Sequence, residues 1–166
     1  MLKHFNLIDQ IPPWYSNKKV TPYIEKDDIK FWWNIPEYNG KEDENEEGAR
    51  PLRPDGKIMF KNGNETNIFL IEMTVPWTDN RNEKYKFKQN KYNDIIQNLK
   101  LENPGSIVDQ ITLVVDVFGG YGADLRENIK KVITDRKTQD SVMKNMQKSV
   151  LSSLSNISRR FKVKVM

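Results

Sequence analysis

Two carboxylates, Asp55 and Glu72, flank a predicted β-hairpin and have the residue type and spacing to bind a divalent cation. Asp55 lies just before the predicted strand 57–60, and Glu72 lies within the apolar run of the predicted strand 67–75. A carboxylate in such a strand is costly to bury unless it is paired, hydrogen-bonded or bound to a metal. The Asn-Gly signal at 62–64 folds the chain back, so we expect the two carboxylates to lie side by side.

Two adjacent carboxylates repel each other, and a divalent cation relieves that repulsion. Mg²⁺ takes one or two carboxylates together with waters and phosphate oxygens, so the expected cofactor is Mg²⁺ or Mn²⁺. A cation in such a site lowers the pKa of a bound water and neutralises charge on a phosphate during hydrolysis. The pair of Asp55 and Glu72 therefore favours a metal-dependent nuclease.

Each acid taken alone also has a simpler interpretation. Asp55 is the middle residue of Pro-Asp-Gly, which is a common turn tripeptide. Glu72 is explained equally by a half-exposed strand position or by a salt bridge to a helix lysine. Only the combination, with the two acids at opposite ends of one hairpin and a lysine-rich helix next in the sequence, favours the metal site.

A lysine-rich helix is predicted over residues 80–101, directly after the hairpin. Lys84, Lys88 and Lys91 are spaced i, i+4 and i+7, which places them on one face of a continuous helix. Such a face either directs ammonium groups at a metal site or a DNA phosphate, or is simply solvated.

The remaining periodicities predict an α/β domain around one central sheet. A short extended segment is expected near Phe31–Trp33, and the apolar run at 110–120 is typical of a strand buried on both faces. A second helical region is expected over about 123–156, with a break near 134–140. The alternating tail at 161–166 is typical of an edge strand.

The sequence predicts a single folded domain over residues 27–166, preceded by an irregular arm at 1–26 and containing an acidic loop at 37–50. The formal net charge is +4, and a basic excess gathered in segments suits a polyanionic partner. The absence of cysteine excludes disulfides and thiolate metal sites, and a single histidine argues against a histidine-based centre. No apolar run approaches the ~20 residues that span a bilayer, so no membrane partner is expected.

Four motifs occur in an order that resembles the restriction-like endonuclease domain of site-specific non-LTR retrotransposons. They are RPD at 53–55, IEMTVPW at 71–77, KFKQNKY at 86–92 and VFGGYG at 117–122. That domain belongs to the PD-(D/E)XK nuclease superfamily, which has a mixed central sheet flanked by helices. The resemblance covers about residues 27–135, including an upstream aromatic segment at 27–38.

The resemblance implies a nuclease that nicks DNA and exposes a 3′-hydroxyl for a reverse transcriptase to extend. It implies Asp55 and Glu72 as the metal-binding acids, with Lys91 or Lys88 as the catalytic lysine. Thr74 stands where the superfamily has its (D/E)XK lysine, and related domains take a lysine from the next helix instead. The residues implied to contact nucleic acid are Arg53, Lys84, Lys88 and Tyr92.

The same resemblance implies DNA and the rest of a reverse-transcriptase polyprotein as partners, and a nuclear location. The oligomeric state stays open. An alternative is a degenerate nuclease fold that binds nucleic acid or protein without cutting. A further alternative, a dinucleotide or S-adenosylmethionine loop at Gly119–Gly122, is disfavoured because too little chain follows for the strand–helix units of such folds. The glycines more simply allow a tight turn off the sheet.

Overall fold

The computed structural model describes residues 4, 5, 7, 21–34 and 52–163, and the side chains up to residue 159. The predicted acidic loop at 37–50 lies outside the described residues, as does most of the predicted arm at 1–26. The last four residues of that arm are described and are not irregular, because they form a strand.

Five strands and four α-helices make up the described fold. In chain order they are β1 (Tyr23–Lys26), β2 (Ile29–Trp33), β3 (Gly56–Asn62), β4 (Glu65–Thr74), α1 (Arg81–Asn90), α2 (Asn93–Glu102), β5 (Ile107–Val114), α3 (Ala123–Lys130) and α4 (Arg136–Val163). A single 3₁₀ turn, Thr78–Asn80, precedes α1.

The strands form one sheet in the order β1-β2-β3-β4-β5, and β1 to β4 pair in antiparallel fashion. The predicted α/β class is confirmed, with a five-stranded mixed sheet flanked by helices. In the described ranges, no helix is both long enough and apolar enough to cross a membrane.

The predicted hairpin is present and slightly longer than expected. Asn62 pairs with Glu65, so Gly63 and Asn64 form a two-residue loop. Gly63 has a φ of 62°, as the first loop position of a type II′ turn requires. The pairing register then continues to Gly56 opposite Ile71, which fixes which residues face each other at the far end of the hairpin.

One helix prediction and one strand prediction need correction, and the predicted helix break is confirmed. The helix expected over 80–101 is divided into α1 and α2, with Lys91 and Tyr92 between them. The predicted edge strand at 161–166 is wrong over its described residues, because α4 continues to Val163. The break predicted in the second helical region is confirmed between α3 and α4.

Two compact units divide the chain. Unit 1 comprises Met1–Glu72 and Gln89–Ile111, and unit 2 comprises Met73–Lys88 and Thr112–Met166. In unit 1, alternate residues of β4 bury their side chains against the apolar face of α2. The buried members of this core are Ile68, Leu70, Tyr92, Ile95, Ile96, Leu99 and Val108.

Unit 2 contains a turn that is held by a buried aspartate. Asp116 follows β5, and its Oδ1 accepts hydrogen bonds from the backbone N–H of Phe118 at 3.0 Å and of Gly120 at 2.8 Å. Its Oδ2 lies 3.9 Å from the Arg81 guanidinium. Gly119 adopts a φ of 82°, a conformation that glycine tolerates without strain. The glycines therefore turn the chain off the sheet, as the sequence indicated.

Asp116→Ala should destabilise the protein substantially. The change would leave two turn N–H groups and the Arg81 guanidinium without their carboxylate, and losing such a buried acceptor costs about 2–4 kcal/mol. Urea unfolding followed by circular dichroism measures the loss. Asp124→Ala, which changes a less buried aspartate at the start of α3, is the matched control and should lose far less.

Candidate active site

Glu72 is buried inside the sheet, with only 2% of its surface exposed. It lies near the end of β4, on the same face as Leu70, whose side chain packs in the core of unit 1. The half-exposed interpretation of this residue is therefore wrong. A buried carboxylate needs donors close by, and the structure provides them.

Tyr92 and Lys91 contact the Glu72 carboxylate on different oxygens. The Tyr92 hydroxyl lies 2.7 Å from Oε2 and donates to it. The Lys91 ammonium lies 3.4 Å from Oε1, and its Nζ also donates to the Tyr92 hydroxyl oxygen at 2.7 Å. Glu72, Lys91 and Tyr92 thus form a closed triangle of polar contacts, which we call the Glu72 cluster.

The Tyr92 side chain is completely buried, with 0% exposed. Burial raises the pKa of its phenol far above the ordinary value, and the hydrogen bond to Glu72 and the charges of Glu72 and Asp55 raise it further. The phenol therefore keeps its proton and acts as a donor. The prediction that Tyr92 contacts nucleic acid does not fit this burial, and its observed role is to hold Glu72 and Lys91.

The break between α1 and α2 is what positions this cluster. Lys91 and Tyr92 occupy the two residues between the helices, and Tyr92 has φ −113° and ψ 16°, outside the helical region. The predicted stripe of Lys84, Lys88 and Lys91 is therefore wrong as a single helical face, because Lys91 is not in the helix. The break is what the sequence pattern missed.

Asp55 lies at the same end of the hairpin as Glu72. Gly56 pairs with Ile71, and extending this antiparallel register by one residue places Asp55 opposite Glu72. Residues opposite each other in an antiparallel pair have Cα atoms about 4.5–5.5 Å apart. The Asp55 charge also raises the pKa of Tyr92, which agrees with a carboxylate close to the cluster.

Backbone contacts hold the segment that carries Asp55. The Arg53 carbonyl oxygen lies 2.9 Å from the Tyr92 hydroxyl, and the Asp55 carbonyl accepts a hydrogen bond from the Asn34 N–H at 3.2 Å. Pro54 between them is buried. The Arg-Pro-Asp segment is therefore attached both to the Glu72 cluster and to the end of β2.

The donor chemistry of this site fits a hard divalent cation. Asp55 and Glu72 offer carboxylate oxygens, the ligands that Mg²⁺ prefers, and Mg²⁺ needs only one or two of them from the protein. Among the described residues, no three His, Cys, Asp or Glu side chains gather as a metal-binding group. A cation held by Asp55 and Glu72 alone would take water and phosphate oxygens as its remaining ligands.

The remaining predicted residues are Arg53, Lys84 and Lys88. The Arg53 side chain is exposed next to the site, where it is accessible to a ligand. Lys84 and Lys88 lie on α1 and are residues of unit 2, whereas the Glu72 cluster lies within unit 1. Lys91, one of the two candidate catalytic lysines, contacts Glu72.

The sequence did contain a signal for the role of Tyr92. Together with Ile95, Ile96 and Leu99 it follows the spacing of an apolar helix face, which indicates burial. A buried tyrosine needs a partner for its hydroxyl, and a buried glutamate needs a donor. Pairing the two requirements would have predicted the observed contact.

Above pH 10, the free energy of unfolding of the wild type should fall, and Tyr92 should contribute to this fall. The unfolded chain releases this phenolic proton near pH 10, whereas the folded chain retains it, so raising the pH favours unfolding. One proton corresponds to about 1.4 kcal/mol per pH unit. Urea unfolding of wild type and Tyr92→Phe between pH 9 and 11 (a range set by the ~10 reference pKa) measures, for each protein, the slope of the free energy of unfolding against pH. A variant slope as steep as that of the wild type would contradict the assignment.

Comparison with known proteins adds no identification. Neither a scan against the models of protein families nor a search of curated proteins gives a match to this chain.

Proposed function

We propose that this chain is a divalent-metal-dependent DNA endonuclease of the PD-(D/E)XK type. The observation that carries the proposal is a carboxylate buried in a central strand, opposite a second acid and in contact with a lysine ammonium. A fully buried acid with a charged partner is a costly arrangement for stability alone. Such arrangements are typical of sites that hold reactive groups rigidly.

Asp55 and Glu72 are the residues that would hold Mg²⁺ or Mn²⁺. When bound, the cation would lower the pKa of a water molecule and stabilise negative charge on the phosphate. Glu72 lies in β4, the hydrogen bond from the Asn34 N–H holds the backbone of Asp55, and the Tyr92 hydroxyl fixes the carboxylate orientation of Glu72. The acids therefore need little rearrangement for ligand binding.

We assign Lys91 the role of binding the attacking water or the charged phosphate. An ammonium group has three donors, and two of them account for the contacts to Glu72 and Tyr92. The third can bind a water or a phosphate oxygen. Positioned donors of this kind stabilise developing charge in the transition state, because no reorganisation is needed.

The proposed reaction is hydrolysis of one phosphodiester bond. The oxygen of water bonds to phosphorus while the bond from phosphorus to O3′ breaks. The water proton passes to the solvent, and O3′ takes up a proton. The products are a 5′-phosphate and a 3′-hydroxyl. A 3′-hydroxyl of this kind is the primer that the resemblance to retrotransposon domains implies, within a reverse-transcriptase polyprotein acting in the nucleus. Arg53, Lys84 and Lys88 are the basic residues proposed to contact the DNA.

Nicking of supercoiled plasmid tests this proposal. Purified protein with Mg²⁺ or Mn²⁺ should convert supercoiled DNA to open circles, and EDTA should prevent the conversion. A DNA polymerase added afterwards should extend from the nick, because the product carries a 3′-hydroxyl. Nicks that a polymerase extends only after phosphatase treatment would contradict the proposed bond cleavage.

A second candidate function is a nucleic-acid-binding module that does not cut. The observation in its favour is that Lys91 and Tyr92 already satisfy the Glu72 carboxylate, which is what a purely structural acid requires. Such a module would retard DNA on a gel equally well with Mg²⁺ and with EDTA, and would leave the plasmid intact under both conditions.

A further inference from the structure

Unit 2 exposes an aromatic pair that the Glu72 cluster does not use. Trp77 follows β4, Phe118 lies in the turn after Asp116, and each has 63% of its surface exposed. Their ring centroids are 6.2 Å apart, with the planes inclined at 60°. We call these two residues the aromatic pair. Large apolar side chains exposed together usually mark a binding surface.

The backbone holds this pair rigidly. The Val117 N–H donates to the Pro76 carbonyl at 3.0 Å, which joins the two segments that carry the rings. The Asp116 carboxylate fixes the turn from inside, and Gln147 on α4 donates to the Gly119 carbonyl at 2.7 Å. The exposed rings therefore lie on an ordered turn. Binding a ligand there costs less conformational entropy, because the protein segment is already ordered.

The charge of unit 2 indicates the kind of partner. Its residues include fifteen Lys and Arg against seven Asp and Glu, a formal charge of +8. Unit 1 has twelve Lys and Arg against sixteen Asp and Glu, a formal charge of −4. The aromatic pair thus belongs to the basic unit, which also contains Lys84, Lys86 and Lys88 of α1. A polyanion is the complementary ligand.

We propose that unit 2 binds unpaired bases of DNA, with the aromatic pair as the stacking surface and the lysines of α1 as phosphate contacts. Proteins hold single-stranded nucleic acid with exposed aromatic rings on a basic surface, because every base has a face that can stack. A paired duplex hides these faces. The proposal deepens the proposed nuclease function, since it assigns unit 2 to locally opened DNA.

Fluorescence anisotropy with the full chain in EDTA tests the proposal without cleavage. The probes are a labelled oligothymidylate of about 20 nucleotides and a duplex of the same length. Trp77→Ala and Phe118→Ala should each weaken binding of the single strand on the order of tenfold, since one stacked base contributes about 1–3 kcal/mol. Binding of the duplex should change by less than about twofold. Trp77→Phe should retain most of the affinity, because a ring remains.

Trp33 provides a matched control. It is an exposed tryptophan whose ring stacks on Phe31 at 5.9 Å, but it lies in the acidic unit 1. Trp33→Ala should therefore leave the affinity for oligothymidylate unchanged. Thermal unfolding of each variant shows whether it is folded, and the dependence of affinity on salt should match that of the wild type, because no phosphate contact is removed.

Three results would overturn the proposal. The first is that Trp77→Ala and Phe118→Ala weaken binding of the single strand and of the duplex equally. The second is that these variants keep the wild-type affinity for the single strand, and the third is that the wild type binds oligouridylate more tightly than oligothymidylate of the same length. Plasmid nicking by the wild type in Mg²⁺ is measured in parallel. A chain that does not nick but binds single strands through Trp77 contradicts only the nuclease, and a chain that nicks while Trp77→Ala binds normally contradicts only the stacking surface.

Discussion

Glu72→Gln is expected to reduce plasmid nicking by at least about 100-fold. The substitution preserves the shape of the side chain and an oxygen that can accept the Tyr92 hydrogen bond, but it removes the negative charge that binds a cation and pairs with Lys91. A catalytic cation contributes several kcal/mol of charge stabilisation, and each 1.36 kcal/mol corresponds to a factor of ten in rate. Initial rates of open-circle formation in saturating Mg²⁺ give the comparison.

Two further variants complete this experiment. Asp55→Asn should lose nicking to a similar extent, because the register places Asp55 opposite Glu72. Glu65→Gln, at the exposed start of the same strand, is the matched control and should nick like the wild type. Nicking by Glu72→Gln at the rate of Glu65→Gln would show that the buried carboxylate is not the catalytic acid.

Lys91→Met is the second change with a large expected effect, a loss of nicking on the order of 100-fold. The methionine keeps the length and the apolar stem of the side chain but removes the ammonium that contacts Glu72 and Tyr92. Removing one positioned donor to a charged transition state costs about 10²–10³ in rate. The effect should appear mainly in kcat, because the ammonium contributes most once charge has developed.

Lys88→Met serves as the comparison for Lys91, since the sequence alone left the two lysines equivalent. Lys88 lies on α1 as a residue of unit 2, and we propose it as a DNA contact. Its loss should therefore weaken binding, raise KM and reduce the salt dependence of affinity, with little change in kcat. If Lys88→Met lost kcat while Lys91→Met retained it, the assignment of the two lysines would be reversed.

The hairpin and its two acids were predictable because their signals are local. The Asn-Gly turn, the apolar run of β4 and the position of Asp55 together indicate the register within a residue or two. The location of Glu72 in an apolar run by itself indicates that its carboxylate needs polar partners. These features depend only on residues near each other in the chain.

The break between α1 and α2 was not predictable from local pattern. The chain from 81 to 102 contains neither glycine nor proline, so the pattern favours one continuous helix. The break instead coincides with the contacts that Lys91 and Tyr92 make to Glu72, a residue about 20 positions earlier in the sequence. Tertiary contacts of this kind override local propensity, and here they bring Lys91 to the carboxylate.

The predictions for the two ends of the described fold were wrong for a related reason. The tail alternates like a strand, but α4 already extends over several turns, and adding residues to an existing helix costs little. β1 is only four residues long and mostly exposed, as edge strands often are, so its sequence does not distinguish it from a loop. Its pairing with β2 is what stabilises it.

The most direct test of the proposed nuclease is the rate of plasmid nicking as a function of Mg²⁺ concentration, for wild type and Glu72→Gln purified identically. The wild-type rate should rise from zero in EDTA and saturate, and the variant rate should stay at background across the titration. Nicking that is independent of Mg²⁺, or equal in the two proteins, would contradict a catalytic cation held by Asp55 and Glu72.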